Sequence, residues 1–495
     1  MEFKKIKRVL ISVYSKKGID QICKTLAKEN IEIISTGGTA SYIESLGIKV
    51  RKVEDITGFP SILEGRVKTL HPAVFGGILA KKSPSHQQTI EQYNIPGIDA
   101  VIIDLYPFSE TVSQGSSHEE IIEKIDIGGV SLIRAAAKNY AEVVVIPTAE
   151  YYEHFLNLIT QQSCCSSLEQ RKKFSLRAFQ KTVEYDREIA NYFEGSKVLR
   201  YGENPHQEAE YFGNLEDCLD QLNGKELSYN NLLDIDAALG IMVEVQDNDP
   251  TFAVIKHNNM CGFAEAGSSV SAWKNALSGD PISAFGGIIA HNKTIDFKTA
   301  SEIDKIFYEV LIAPAFDQEA FELLSKKKNR IILKLKKYPE LKKTNRSIIN
   351  GQLVQDYDNY IHRASDWKIA TKIKASESQL EDLVFANRLV KHLKSNAIAL
   401  VKNKTLLGMG AGQTSRVDSL NHAIKKARDN KFDLSGAVMA SDAFFPFNDC
   451  VDIAFQAGIN CIVQPGGSIK DQDSIDFCDE NQMSMYLTGK RHFKH

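Results

Sequence analysis

Lys256 and His257 follow the apolar run Thr251-Phe-Ala-Val-Ile255, so a buried strand delivers an ammonium and an imidazole side by side to its open end. Strand ends are where α/β folds bind ligands. A lysine there can face a developing negative charge, and a histidine can move a proton near neutral pH. The stretch Asn258-Asn-Met-Cys-Gly262 adds amides and a turn suited to a polar substrate. Taken alone, the dipeptide reads equally as an ordinary junction between strand and loop. A second group of reactive types lies earlier in the chain: Lys68 in Gly65-Arg-Val-Lys-Thr-Leu-His-Pro72, Tyr106, Asp126 and Lys138. Phosphate-gripping residues next to such acids and bases suit proton transfer on a phosphorylated small molecule.

The elements that must hold these residues alternate in type. Arg8–Val13, Ile31–Ser35, Ala100–Asp104 and Glu142–Ile146 read as strands, with helices over 18–28, through Leu46, and over 129–138 between them. That βαβ order predicts a parallel sheet covered on both faces, ending near residue 147. Thr36-Gly-Gly-Thr39 joins a strand to a helix; its backbone amides, hydroxyls and helix N-terminus form an anion site. Residues 148–198 read as a connecting helical layer, and a second α/β region runs over 199–495. Ser283-Ala-Phe-Gly-Gly and Ser441-Asp-Ala-Phe-Phe resemble each other enough to raise a duplication, as does chance. The basic segment 326–346 reads as a solvated helix and loop, and of Phe444, Phe445 and Phe447 at least one reads as core.

Composition narrows the partners. A chain of 495 residues needs more than one core. Its 60 Lys+Arg nearly balance 63 Asp+Glu, so charge gives no reason for nucleic-acid or membrane binding. No run approaches the length of a membrane span, and the eight cysteines form no C-x-x-C pair. The reading is a cytoplasmic protein with reduced thiols and no metal site.

Several long strings then carry a resemblance. Ser-Thr-Gly-Gly-Thr39, Gly65 to Pro72, Leu-Tyr106-Pro-Phe and Asp126-Ile-Gly-Gly-Val-Ser-Leu-Ile-Arg-Ala-Ala-Ala-Lys138 resemble the IMP cyclohydrolase domain, whose fold is methylglyoxal-synthase-like. Leu199 to Gln207, Asp280 to Gly287, Gly410 to Arg416, Ser441 to Phe447, Gln464 to Ser468 and Arg491 to His495 resemble the AICAR transformylase region of the same bifunctional family. The likeness spans essentially the whole chain.

The resemblance implies a formyl transfer from 10-formyltetrahydrofolate to AICAR, followed by closure of formyl-AICAR to IMP with loss of water. It assigns Lys256 as oxyanion stabiliser and His257 as base. It places AICAR against Arg200, Tyr201, Gly286, Glu309, Asn396 and Arg416, with Val417, Phe444, Asp449, Ser468, Ile469 and Arg491 contacting substrate or folate. For closure it assigns Lys138 as the acid–base residue, supported by Lys68, Tyr106 and Asp126. Tyr14, Ser15, Lys16, Thr36, Gly37, Gly38, Thr39, Arg66, Val67, Thr69, Ile103, Asp104 and Ile127 line that nucleotide site. It further implies duplicated cytidine-deaminase-like subdomains, a homodimer with transfer sites built across its interface, and no metal for the chemistry, leaving a monovalent cation open.

Two positions depart from the family strings: Met260 stands where a proline is usual, predicting a looser loop after His257, and Tyr14 replaces a small hydroxyl residue. A zinc deaminase needs H-x-E and P-C-x-x-C, and neither is present. A nucleotide-binding regulatory protein with lapsed catalysis predicts losses among Lys68, Lys138, Lys256 and His257, yet all four stand.

Overall fold

The computed structural model describes residues 3–63 and 67–495 and divides into two units, Met1–Ser196 and Lys197–His495. In the first unit, five strands lie in the order Arg51–Lys52, Glu32–Ser35, Arg8–Val13, Ala100–Asp104, Val144–Ile146, all parallel. The strands are continuous apolar runs because helices cover both faces, as burial on two sides demands. Their cores (Val9, Leu10, Ile11, Val101, Ile102, Val145) are fully buried. The chain leaves the central strand Arg8–Val13 in one direction first and in the other later. Its C-terminal end is therefore a topological switch point, where a crevice opens.

The connecting layer belongs to this first unit. It contains helices Tyr152–Gln161 and Leu168–Glu194, the latter started by a Ser167/Gln170 capping box. Between them the short strand Cys165–Ser167 pairs antiparallel with Phe3–Lys5.

The second unit is built on one twelve-stranded sheet in which the same arrangement occurs twice. Thr251–Lys256 and Asn259–Glu265 form a hairpin; Ile288–His291 lies antiparallel beside the first of them, and Val310–Ala313 and Ile331–Leu335 follow in parallel. Ile398–Lys402 and Thr405–Gly410 form the matching hairpin, followed by Val438–Ser441, Cys461–Gln464 and Ser484–Leu487 with the same directions. Both hairpins carry a register shift one residue before the final lysine. The halves meet through one pairing, Ala264 with Thr405.

The strings that suggested duplication occupy unequal places: Ser283 precedes its strand, whereas Ser441 ends one. Gly286-Gly287 and Gly436-Ala437 are the equivalent positions, entering the two strands with φ of 74° and 73° at Gly286 and Gly436. The basic segment is also corrected. Ile331–Leu335 within it is a buried strand of the large sheet, its lysine alone pointing outward, and Lys343–Ile348 pairs with Gly351–Asp356 in an exposed ribbon. The apolar run Ile-Ile-Leu, broken by a single lysine before Leu335, was the missed signal. Among the described residues, no helix is long and apolar enough to cross a membrane.

Candidate active sites

The crevice of the first unit is a cavity of about 640 Å³ and lies at the C-terminal ends of the parallel strands. Ser12-Val13-Tyr14, Thr36, Gly38, Thr39, Ile103-Asp104 and Tyr106 line it from the sheet; Lys68, Thr69 and Asp126 to Gly129 close it. Ser15 donates its backbone N–H to Asp104 Oδ2 at 2.9 Å. Thr39 Oγ1 accepts from Val13 N at 3.1 Å and from Lys16 Nζ at 3.1 Å, tying the loop after the central strand to the helix Gly37–Ser45. Gly37 starts that helix at φ 50°, and a Cβ there would stand 3.1 Å from Lys68 Nζ. The ammonium thus lies against the helix N-terminus, and a side chain at 37 would crowd it while straining the backbone.

Burial raises the Asp126 carboxyl above its usual range, against the opposing pull of the Gly129 and Tyr106 amides and of Lys68. Gly129 N donates to Asp126 Oδ1 at 2.7 Å, so the carboxylate also caps the helix Gly128–Lys138. Burial, then Asp126 and Tyr14, push the Tyr106 phenol up, which keeps it a proton donor at neutral pH. Burial also lowers the Lys16 ammonium, with Asp104 opposing.

Tyr14 meets Tyr106 edge-to-face at 5.8 Å, and Lys124 Nζ lies 5.7 and 5.9 Å from the two ring centres. No motif singled out Tyr185 of the connecting layer. Its hydroxyl accepts from Asp126 N at 2.8 Å and donates to Lys124 O at 2.8 Å, fixing the loop that presents the carboxylate. Arg66 falls outside the described residues, while Val67 and Thr69 stand beside Lys68 as the string implies. Ile127 is exposed next to Asp126. Lys138 is different: it is the exposed last residue of the helix whose Gly128, Gly129 and Leu132 line the cavity, about 9 Å beyond Leu132 at the helical rise.

In the second unit, Lys256 does not end at an open strand edge leading to a loop. His257 and Asn258 are the two central residues of a tight hairpin turn, at φ 52° and 59°, and the expected turn residues 259–262 belong to the returning strand Asn259–Glu265. Two positive φ values mark the turn type whose twist matches paired strands. Asparagine and histidine tolerate this region better than most residues. Asp234 secures the turn, accepting from His257 N at 3.1 Å (Oδ2) and from Asn258 N at 2.6 Å (Oδ1). Left-handed backbone costs about 1–2 kcal/mol per residue, and hydrogen bonds to a charged group contribute about 1.5–3 kcal/mol each, so the carboxylate offsets the strain. Met260 is buried within the returning strand, which corrects the expected looser loop.

Lys256 Nζ donates to Phe285 O at 2.6 Å. Next to it, Gly286 N donates to Phe307 O at 2.9 Å and Asn231 Nδ2 to Glu309 Oε2 at 2.9 Å. Arg200 lies over Tyr201 at 5.1 Å. Beside the turn, a cavity of about 370 Å³ is lined by Lys256, His257, Met260 and Cys261 together with His422 and Lys426 of the second half. Burial pushes the Cys261 thiol up to about 12, so it stays protonated at neutral pH. Among the described residues, no group of three or more His, Cys, Asp or Glu is placed to hold a metal ion.

A second cluster surrounds Arg416, whose guanidinium donates to Asn396 Oδ1 at 2.8 Å, Asp442 Oδ1 at 2.9 Å and Phe444 O at 3.1 Å. His492 N donates to Asp442 O at 3.0 Å, which brings the Arg491 tail alongside. A buried chain pins that tail. Trp367 Nε1 donates to His362 Nδ1 at 3.1 Å, so the His362 proton sits on Nε2 and faces His492 Nε2 at 2.7 Å; His492 then donates from Nδ1 to Asp358 at 2.5 Å. Ser468 N donates to Asp471 Oδ2 at 3.2 Å, Ile469 is fully exposed, Asp449 opens the helix Asp449–Gln456, and Phe444 is partly exposed. Val417 is partly buried behind Arg416, and Phe445 is fully buried, the core member of its aromatic trio. Strand directions put Lys256, Gly286, Asn396, Asp442 and Ser468 on one edge of the sheet. Three strand spacings, about 14 Å, separate the Lys256 strand from that following Asn396.

Comparison with known proteins shows what the chain is similar to. A sequence model described as the AICARFT/IMPCHase bienzyme matches residues 136–426, and one for the MGS-like domain matches 18–131. The bifunctional purine biosynthesis protein PurH of Bacteroides thetaiotaomicron is 52% identical over 507 residues, covering 100% of both chains. Those of Ruminiclostridium cellulolyticum and Aquifex aeolicus are each 44% identical, over 99% of this chain and 100% of theirs. The chain belongs to the AICARFT/IMPCHase bienzyme family. It joins an AICAR formyltransferase to an IMP cyclohydrolase, the former drawing its formyl group from 10-formyltetrahydrofolate as the family does. A member of this bienzyme family needs two sites, and the two units each present a cluster of acids, bases and anion-binding groups.

Proposed function

We propose that the two reactions run on separate units: formyl transfer at the sheet edge around Lys256 and His257, and ring closure in the cavity holding Lys68, Tyr106 and Asp126. In transfer, the 5-amino nitrogen of AICAR attacks the formyl carbon of 10-formyltetrahydrofolate. That amine is conjugated into its ring and weakly nucleophilic, so the imidazole of His257 takes its proton as the bond forms. The Lys256 ammonium faces the resulting oxyanion. Collapse breaks the bond to N10, which takes up a proton and leaves as tetrahydrofolate. The observation that carries this reading is the locked turn, which holds a proton acceptor and a cation on adjacent residues.

In closure, the carboxamide nitrogen attacks the new formyl carbon, and the formyl oxygen leaves as water with one hydrogen from each nitrogen. Positioning and charge stabilisation supply most of the help. Lys68, against the helix N-terminus, suits the phosphate or the developing oxyanion, and the protonated Tyr106 suits proton donation. Lys138, the expected acid–base residue, lies away from this cavity in its own chain. A neighbouring copy that brings its Lys138 to this cavity would supply the acid–base residue, which fits a homodimer. The separation of the Lys256 and Arg416 clusters fits the same assembly, with transfer sites shared between copies. The twice-used strand order fits duplicated cytidine-deaminase-like subdomains, and a cytoplasmic location fits the pathway. A monovalent cation would serve structure rather than either reaction.

The test supplies AICAR with 10-formyltetrahydrofolate, and separately formyl-AICAR, to two variants. His257→Ala is expected to lose transfer and keep closure, and Lys68→Ala to do the reverse. Loss of both activities in either variant would mean that the sites are not separate.

A further inference from the structure

The turn that carries His257 has a counterpart in the other half of the sheet. Asn403 and Lys404 take φ of 51° each, and their backbone N–H groups donate to Asp382 Oδ2 at 2.8 Å and Oδ1 at 2.7 Å. Asp382 and Asp234 occupy equal places on equal helices. Each stands six residues after a serine cap, Ser228 or Ser376, whose capping box is closed by Asn231 or Gln379. Asn231 reaches Glu309 ahead of the second parallel strand, and Gln379 reaches Asn460 at 3.2 Å in the same position. The two turns therefore share strand pairing, backbone conformation, carboxylate and supporting helix. They differ in what they present: a histidine at 257, an asparagine at 403.

We propose that Asp234 is a positioning residue for formyl transfer, acting through the backbone of the turn to fix where the His257 imidazole stands. The inference rests on the assignment of His257 as the base. The carboxylate touches no reacting atom; it holds two adjacent amides and so sets the direction of the side chain between them. Asp382 does the same mechanical task at the opposite sheet edge, where no imidazole follows. Its substitution reports the cost of loosening such a turn without the cost of misplacing a base.

The experiment compares Asp234→Asn with Asp382→Asn in the full chain, each also combined with His257→Asn, measuring kcat and KM for transfer together with thermal melting. Asp234→Asn keeps the side-chain shape but sets an amide against the backbone N–H groups. It is expected to lower kcat for transfer about tenfold to a hundredfold, the range for a small misplacement of a reacting group. KM for AICAR is expected to move less than about threefold, since no contact to substrate is removed. Asp382→Asn is expected to lower the melting temperature similarly and leave transfer within about twofold. In the His257→Asn background, Asp234→Asn is expected to add little, because residues acting as a unit are non-additive. Should Asp234→Asn fail to fold, Asp234→Glu, which keeps the charge but shifts it by one methylene, takes its place with a smaller expected loss. Equal loss of transfer in the Asp234 and Asp382 variants, or full additivity with His257→Asn, overturns the positioning role and leaves the site assignment standing. Undiminished transfer in His257→Asn alone overturns the assignment, and the positioning role with it.

Discussion

Lys256 and Lys402 are the same residue of a repeated hairpin, and each donates its ammonium to the carbonyl that precedes a left-handed glycine: Phe285 O at 2.6 Å and Ser435 O at 2.7 Å. Bracing the neighbouring strand is thus common to both lysines, and the proposed chemistry belongs to one of them. Lys256→Met and Lys402→Met should both lower the melting temperature of the second unit. Only Lys256→Met should also lower transfer, by about a hundredfold or more, the usual cost of removing an oxyanion donor. Calorimetry beside a transfer assay separates the two effects, and an equal loss of transfer in Lys402→Met would show that bracing alone accounts for the lysine.

The proposed sharing of closure groups between two chains makes a mixing prediction. Lys68→Ala and Lys138→Ala should each be inactive in closure when pure. After joint unfolding and refolding in equal amounts, half the dimers are mixed, and each mixed dimer regains one site with both lysines. About a quarter of the wild-type closure activity should return, as two-fold symmetry requires. No recovery would place both lysines in one chain's cavity or exclude exchange of residues between copies.

How much of this could be read from the residues alone depends on how local the determining contacts are. The first sheet was legible because parallel strands buried on both faces are continuous apolar runs separated by amphipathic helices. The anion-binding turn was legible because Thr36-Gly-Gly-Thr39 needs only its neighbours. The Lys256 turn was misread because strand pairing decides whether a polar dipeptide ends a strand or folds it back, and its partner Asp234 lies more than twenty residues away on a helix. The repeat showed in the residues only as a weak likeness between two short strings, which turn out to occupy unequal places, and as an implication of the family resemblance. What the halves share is a serine cap, an aspartate six residues on and a lysine before a turn, spread over nearly thirty residues with little identity between. The position of Lys138 was out of reach for a different reason, since a helix of eleven residues carries its ends apart whatever motif spans it.

Asp126 carries a cost that function explains. Its carboxyl is raised mainly by burial, so the folded state binds the proton more tightly than the unfolded chain does. By linkage, its contribution to stability is most favourable in acid, where both states are protonated, and is lost as pH rises from the ordinary carboxylate range through the raised folded value. Asp126→Asn keeps an oxygen for Gly129 N and removes the charge. The variant should therefore melt higher than wild type at neutral pH, by a margin that shrinks as pH falls, while closure drops. Melting curves of both proteins from pH 4 to 8 check the sign; a margin that grows toward acid would contradict it.

Keeping both reactions on one chain has a thermodynamic consequence that Lys68→Ala can expose. Formyl transfer joins a weakly nucleophilic amine to a formyl group already bound to nitrogen, so reactants and products are expected to be nearly balanced. Closure forms an aromatic ring and releases water, and it removes formyl-AICAR from that balance. Wild type supplied with AICAR and excess 10-formyltetrahydrofolate should run to IMP. Lys68→Ala, with transfer intact, should stop at a partial conversion that depends on the ratio of tetrahydrofolate to its formyl derivative. Adding Lys256→Met, dead in transfer but competent in closure, should then carry the stalled mixture to completion without any change in cosubstrate. Chromatographic quantitation of AICAR, formyl-AICAR and IMP follows each step. If Lys68→Ala alone accumulates formyl-AICAR as fully as wild type accumulates IMP, transfer is favourable by itself and closure does not draw it forward.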